Sequence, residues 1–309
     1  MSDLVTPARG SRNAGAGGVE AIYAEVRRLA GVDVVEEAPV VTEVGPGIAA
    51  VAVRTPTLPP AAHTACYLVG TGELIAIDPG SPYPDQHDGL TAAIAARGRL
   101  VAVVLTHHHG DHAGGAAALA DALGAPIWAH AETAAALPGL PVARHLEDDE
   151  VLAVGGRTVH VLHTPGHAVG HLCFRDQESA AVIAGDMVAG LGTILIDPSG
   201  GHMATYLASL ERLLAARTGA LLPAHGPVIE DGPAKLREYL AHRRMREARV
   251  LGALDAAPRG AAELCALAYA DTPAFLWPLA ERSLLAHLVK LVEDGAAVTD
   301  GSEWRRARA

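Results

Sequence analysis

The stretch Leu105–Gly115, LTHHHGDHAGG, sets four histidines and an aspartate into the six positions from His107 to His112, directly behind the apolar run RLVAVVLT. An apolar run of this length bounded by polar residues reads as a buried strand. Ionisable groups gathered where it stops belong at a sheet edge, where water and ligands reach them. Three more stretches, TPGHAVGH, AGDM and LLPAHGP, place histidine or aspartate in the same way, immediately after a run of strand character. Four strand ends that meet at one cleft are the strongest constraint this chain puts on its own fold.

The order of the elements narrows that fold. GIAAVAVRT, HTACYLVG and ELIAIDPG are short apolar runs ended by Gly, Pro or a polar residue, and read as three antiparallel strands. A helix over GLTAAIAARG, a strand over RLVAVVLT, a helix over AGGAAALADALG stopping at Gly124 and a strand over APIWAH follow. LPGLPVARHLEDDE reads as a linker at the midpoint. The pattern then resumes, with strands over RTVHVLHTPG, HLCFRD and SAAVIAGD, a helix over HMATYLASLERLLAA and a strand over GALLPAHG. Two such halves predict an α/β fold, a four-layer αββα sandwich with two sheets face to face and helices outside. At 309 residues, half of them hydrophobic, the chain can fill that core and a smaller second one. Residues 1–18 read as a flexible Gly/Ala/Ser-rich lead, 19–232 as the sandwich domain, and 233–309 as a linker helix with a small, mostly helical domain.

Imidazoles and carboxylates without thiolates are the donors of a zinc, iron or manganese site. In an extended loop His107 and His109 point the same way and His108 the other. His107 and His109 can therefore grip one ion with His167 as the third imidazole. Asp111 and His112, beyond Gly110, can reach a second ion together with His225. Asp186, with two carboxylate oxygens, can bridge the pair. Two divalent ions are the expected cofactors, with zinc the best fit to the donors and iron or manganese also compatible.

These residues resemble the H-x-H-x-D-H signature of the metallo-β-lactamase superfamily, which stands here as His107-His108-His109-Gly110-Asp111-His112, with His167, Asp186 and His225 matching the remaining ligands in order. The segment from Pro223 to Leu251, followed by LLAHLVKLVEDG, is similar to the subgroup with a winged-helix-like domain behind the hydrolase domain, as in β-lactamase-like endoribonucleases and hydrolases related to glyoxalase II. The resemblance implies the αββα fold and hydrolysis by a metal-bound hydroxide, with Asp111 orienting the nucleophile as the catalytic residue. Where that subgroup tends to show a GTNTYLVG-like strand, this chain has AAHTACYLVG, so His63 and Cys66 differ near the cleft rim.

Other polar residues have weaker claims. His63, Thr193, Tyr206, Arg243 and Arg246 are candidate substrate contacts, although His63 also reads as an ordinary loop histidine and Tyr206 as a core residue. His171 and Asp78 are candidates to support the ligands from behind. His108 reads as solvent-facing or supporting.

Charge and composition bear on substrate and compartment. A net charge of −11 disfavours broad binding to nucleic acid or anionic membranes. Residues 251–300 hold three basic and seven acidic side chains, which argues against DNA reading by the tail. Residues 237–249 hold five arginines against two glutamates, which leaves RNA open as a substrate beside a small-molecule or carrier-bound acyl compound. The expected reaction is thus hydrolysis of a thioester, ester or lactone, with single-stranded-RNA cleavage as the alternative and a nucleic-acid-binding regulator third. Only Lys235 and Lys290 supply lysine, so no basic glutathione site can be placed. Three scattered cysteines and no apolar leader predict the cytoplasm. The oligomeric state is open.

Overall fold

The computed structural model describes residues 18–30 and 38–308; nearly all of the expected flexible lead lies outside them. Seven strands form the first sheet in sequence order: β1 (Val40–Gly45), β2 (Ile48–Arg54), β3 (His63–Val69), β4 (Gly72–Ile77), β5 (Gly98–Val104), β6 (Ile127–Ala129) and β7 (Val142–His145). β1 to β4 pair antiparallel, and β4 to β7 run parallel. The second sheet is built from β8 (Val151–Val154), β9 (Arg157–His163), β10 (Leu172–Asp176), β11 (Val182–Gly185) and β12 (Leu221–Pro223), with β12 and β8 at its edges.

Alternation along the strands makes the layers, because successive side chains leave a strand on opposite faces. Leu74 and Ala76 of β4 pack outward, and Ile75 and Ile77 pack inward. The inner core joins Ile48, Tyr67, Ile75 and Ile77 of the first sheet to Val159, Leu172, Phe174 and Ile183 of the second. Helix α1 (Gly18–Ala30) lies against Pro56 and Thr57, whose carbonyls accept from Arg27. On the outer face of the first sheet, Leu90 and Ile94 of α2 (Pro84–Arg97) and Leu119 of α4 (Ala116–Leu123) meet Val51 and Leu68, with the single turn α3 (Gly110–Ala113) between those helices and α5 (Ala131–Ala136) following β6. Tyr206 and Leu210 of α6 (Met203–Ala215) and Leu236 and Tyr239 of α7 (Gly232–Ala253) cover the second sheet. This is the expected αββα sandwich.

Three strands differ from the sequence reading. β7 lies inside the expected linker, and β1 and β8 were not anticipated. All three are edge strands, short or largely exposed. An edge strand with few buried side chains gives little apolar pattern to read.

The C-terminal part has its own core, in which Val250 and Ala253 of α7 meet Leu264 of α8 (Ala261–Ala268) and Leu284 and Leu288 of α9 (Trp277–Glu293). A small sheet of β13 (Arg259–Gly260), β14 (Ala297–Thr299) and β15 (Glu303–Arg306) completes a winged helix. α7 thus serves both cores, which ties the two parts together. Arg282 of α9 adds a two-pronged ion pair to Asp197 at 2.6 and 2.7 Å. Among the described residues, no helix is long and apolar enough to cross a membrane.

Candidate metal centre

All seven expected ligands meet at the ends of the strands. His107 follows β5, Asp111 and His112 sit on α3, His167 follows β9, Asp186 follows β11 and His225 follows β12. Their donor atoms fall into two groups, with His107, His109, His167 and Asp186 in one and Asp111, His112 and His225 in the other. In the first group His109 Nδ1 lies 2.9 Å from both His107 Nε2 and His167 Nε2, and those two nitrogens are 3.3 Å apart. Asp186 faces both groups: Oδ2 is 3.4 Å from His167 Nε2, and Oδ1 is 3.4 Å from His112 Nε2 and 3.3 Å from His225 Nε2.

Partners on the far side of the rings decide which nitrogens face inward. Asp78 accepts from the backbone N–H of Thr106 at 2.7 Å, from its hydroxyl at 2.6 Å and from His112 Nδ1 at 2.8 Å. With its proton given to Asp78, Thr106 Oγ1 accepts from His107 Nδ1 at 2.9 Å. His167 Nδ1 donates to the Leu195 carbonyl at 2.9 Å, and His225 Nδ1 to the His63 carbonyl at 3.2 Å. These assignments follow from the partners. With the rings neutral, as metal ligands must be, they leave Nε2 of four histidines as inward-facing lone pairs.

Lone pairs brought together in this way fit a cation. His112 Nε2 and Asp186 Oδ1 are buried and have no hydrogen-bond partner. Nitrogens around a tetrahedral zinc ion lie roughly 3.3 Å apart, close to the spacing of the first group. Burial, then the neighbouring His112, His109 and His167, holds His107 well below the usual imidazole range; burial and His167 put His109 at about 3. Both therefore stay neutral, as a ligand must. In the second group burial opposes charge, but Asp186, Asp78 and Asp111 outweigh it at His112 and raise its pKa well above the usual range. Asp186 is held well below its ordinary range: burial opposes this, but His225 and His112 prevail.

His171 does not join either group. Its Nε2 accepts from the Asp186 backbone N–H at 3.1 Å, and its Nδ1 donates to Thr164 Oγ1 at 2.9 Å, so it holds Asp186 from behind. Gly185 makes this approach possible: its φ is +47°, and a Cβ there would stand 2.7 Å from His171 Nε2. Gly80 plays the same part for α3, since a Cβ would meet the Asp111 carbonyl at 1.7 Å.

Asp111, His167, Asp186 and His225 open into a cavity of about 690 Å³ between the sandwich and the winged helix, with His108 and Thr193 also on its wall. Tyr206 requires a correction. It is fully buried and donates to the Met187 carbonyl at 2.7 Å, because α6 turns this face to the second sheet, so it cannot touch substrate. His63 offers its backbone carbonyl to His225, and its side chain is not among the residues lining the cavity. Arg243 lines the cavity but is only 2% exposed, and it donates to the Ile194 carbonyl. Arg246 also lines it, paired with Asp271 at 2.7 Å.

Sequence reading missed Thr106, the Leu195 carbonyl and Tyr67, whose hydroxyl donates to the Pro223 carbonyl at 2.7 Å. Thr106, directly before His107, was within reach of a motif reading. The others depend on distant segments meeting.

Residues 59–225 match the profile of the Metallo-beta-lactamase superfamily, and residues 261–304 that of the Beta-lactamase associated winged helix domain. The chain is 35% identical over 221 residues to the lactamase-like protein vrtG of Penicillium aethiopicum, covering 70% of this chain and 68% of that one. It is 36% identical over 197 residues to a protein of Cryptosporiopsis sp. named atrochrysone carboxyl ACP thioesterase, covering 62% of this chain and 58% of that one. Among solved structures, a metallo-beta-lactamase family protein from Thermus thermophilus superposes with a TM-score of 0.72 at 25% identity, over 85% of this chain and all of that one. A beta-lactamase domain protein from Burkholderia ambifaria gives 0.75 at 20% identity, over 86% and 93%, and shares the fold.

Proposed function

The chain belongs to the metallo-beta-lactamase superfamily of hydrolases, and from that premise we propose that it holds two divalent ions, zinc by preference, and hydrolyses an acyl thioester, ester or lactone carried by a small molecule or a carrier protein. His107, His109 and His167 would hold one ion, Asp111, His112 and His225 the other, and Asp186 would serve both, as its two oxygens facing the two groups support. Bound there, the ions supply Lewis-acid polarisation of the scissile group and a water made nucleophilic at neutral pH.

The protein's own residues do the rest. Asp111 is largely shielded from water yet ionised; burial works against that, but His112 and His225 outweigh it. It is the group to orient the attacking water by accepting its proton in a hydrogen bond. Asp78, Thr106 and His171 keep the ligands from turning, which preserves the geometry that the reaction needs. The cavity gives the acyl group a route to this point.

The state of the arginine strip carries the choice of an acyl substrate over RNA. Arg243 is buried on a carbonyl, Arg244 pairs with Glu211 at 2.7 Å, and Arg246 and Arg249 share Asp271 at 2.7 and 2.6 Å. With Arg243 so buried and Arg244, Arg246 and Arg249 engaged by Glu211 and Asp271, the strip offers less to a phosphate backbone than free arginines would. The relative named as a carrier-protein thioesterase supports the same reading. Wild type and Asp111→Ala, assayed side by side on acyl thioesters and on labelled single-stranded RNA, test it. Asp111-dependent thioester cleavage with intact RNA is expected, and Asp111-dependent RNA cleavage would overturn it.

A further inference from the structure

We propose that the winged-helix domain is the selectivity wall of the acyl site, and that Leu276 and Leu279 make the enzyme choose bulky apolar acyl groups over short ones. This rests on the acyl-hydrolase reading above. The cavity is bounded on the sandwich side by Leu58 and Pro60 from the β2–β3 loop and by Leu191 from the segment after β11. Opposite them stand Leu276, in the short helical turn Ala274–Leu276, and Leu279 and Ala280, in the first turn of α9. The same space is continuous with Asp111, Asp186 and His225, so a group lying along this wall is attached to the bond being cut.

Size and chemistry both point to the acyl part. About 690 Å³ falls in the range of sites that enclose a drug-sized ligand, far more than a two-carbon acyl group fills. Along Leu58, Pro60, Leu276 and Leu279 the amides of a pantetheine-like thiol arm would lie unpaired, which is disfavoured, whereas Thr193, Ser199 and Thr272 elsewhere on the lining could pair with them. An alkyl or aromatic acyl group meets no such penalty and gains contact with each added carbon. The thiol arm is then left to run out through the mouth.

The wall is fixed in place. Arg282 of α9 grips Asp197, which itself lines the cavity, and Arg243 of α7 holds the Ile194 carbonyl beside Thr193. A wall held at two points presents a preformed shape, and a preformed shape discriminates by size.

The test uses the full chain and a series of thioesters of one thiol with acetyl, hexanoyl, decanoyl and naphthoyl groups. A parallel series keeps the acyl group fixed and varies the thiol. kcat/KM is expected to rise about tenfold or more from acetyl to decanoyl, in line with the worth of added methylenes in an apolar pocket, and to change little with the thiol. Leu279→Trp, which fills the wall, and Leu276→Ala, which opens it, should each change the decanoyl-to-acetyl ratio, the first lowering it at least tenfold. Binding of a non-hydrolysable decanoyl thioether, followed by calorimetry, should weaken in Leu279→Trp in parallel. If Leu279→Trp does not fold, Leu276→Ala and the wild-type series still decide the matter. Equal rates across the acyl series, or a dependence on the thiol instead, would overturn the inference alone. Failure to cleave any thioester would overturn the reading beneath it.

Discussion

Asp78 and His112, 34 residues apart in sequence, meet in a buried hydrogen bond of 2.8 Å between Oδ2 and Nδ1. Asp78 closes β4 with a φ of +57°, which turns its carboxylate back toward Thr106 and the histidines. One carboxylate thereby fixes the ring of His112 directly and that of His107 through the Thr106 hydroxyl.

Asp78→Asn keeps the shape of the side chain but can offer His112 an N–H in place of an acceptor. Loss of a partner of this kind costs roughly 10- to 100-fold in metal affinity or activity. Metal retained after dialysis and turnover should fall together. Full retention of both would show that His112 needs no such support.

Gly185→Ala places a Cβ against His171 at a backbone angle that side chains rarely adopt. A destabilisation of about 1–3 kcal/mol is expected in denaturant unfolding, with loss of bound metal because Asp186 follows directly. A variant as stable and as metal-loaded as wild type would contradict the close packing at this point.

Metal binding should release protons. Burial lowers the pKa of His112 and His225, but Asp186 and the neighbouring carboxylates outweigh it, most strongly at His112, which favours protons in the metal-free site that a ligand must lose. Calorimetric titration of metal-free protein in buffers of different ionisation enthalpy should report about one or two protons released per chain. A value of zero would contradict this charge state.

Arg282→Ala should loosen the winged helix from the sandwich, at a cost of about 1–3 kcal/mol for a charged, two-pronged contact. Asp197 sits below its ordinary pKa; burial opposes the shift, and Arg282 prevails. The contribution is therefore complete above the unfolded carboxylate value of about 4 and is lost as pH falls through the lower folded value. Unfolding curves for wild type and variant should converge in that acidic range. Curves that stay equally separated there would contradict the assignment to this pair.

Much of this was legible in the sequence, and the reasons differ from residue to residue. The ligands could be read because strand ends and a short loop fix their spacing locally, as with His107 and His109. The αββα layering could be read from the apolar runs of β2 to β5, which are buried on both faces, and from the order of strands and helices. β1 and β7 were hidden because they are largely exposed, and β8 because four residues are too few to show a pattern. Tyr206 and Arg243 show where local reading stops. Whether a polar side chain on a helix meets substrate or core depends on which way the helix turns against the sheet, and only packing decides that. The cavity wall is a meeting of residues near 58, 191 and 279, which no local pattern announces.

Whether the strand-end histidines and aspartates hold a pair of ions is decided by elemental analysis of the purified chain, read against the variants His109→Ala and His225→Ala. Two divalent ions per chain, chiefly zinc, are expected, with occupancy reduced in each variant. A wild-type chain that binds no ion when offered zinc, iron or manganese, or one whose metal content is indifferent to both substitutions, would contradict the two-ion centre.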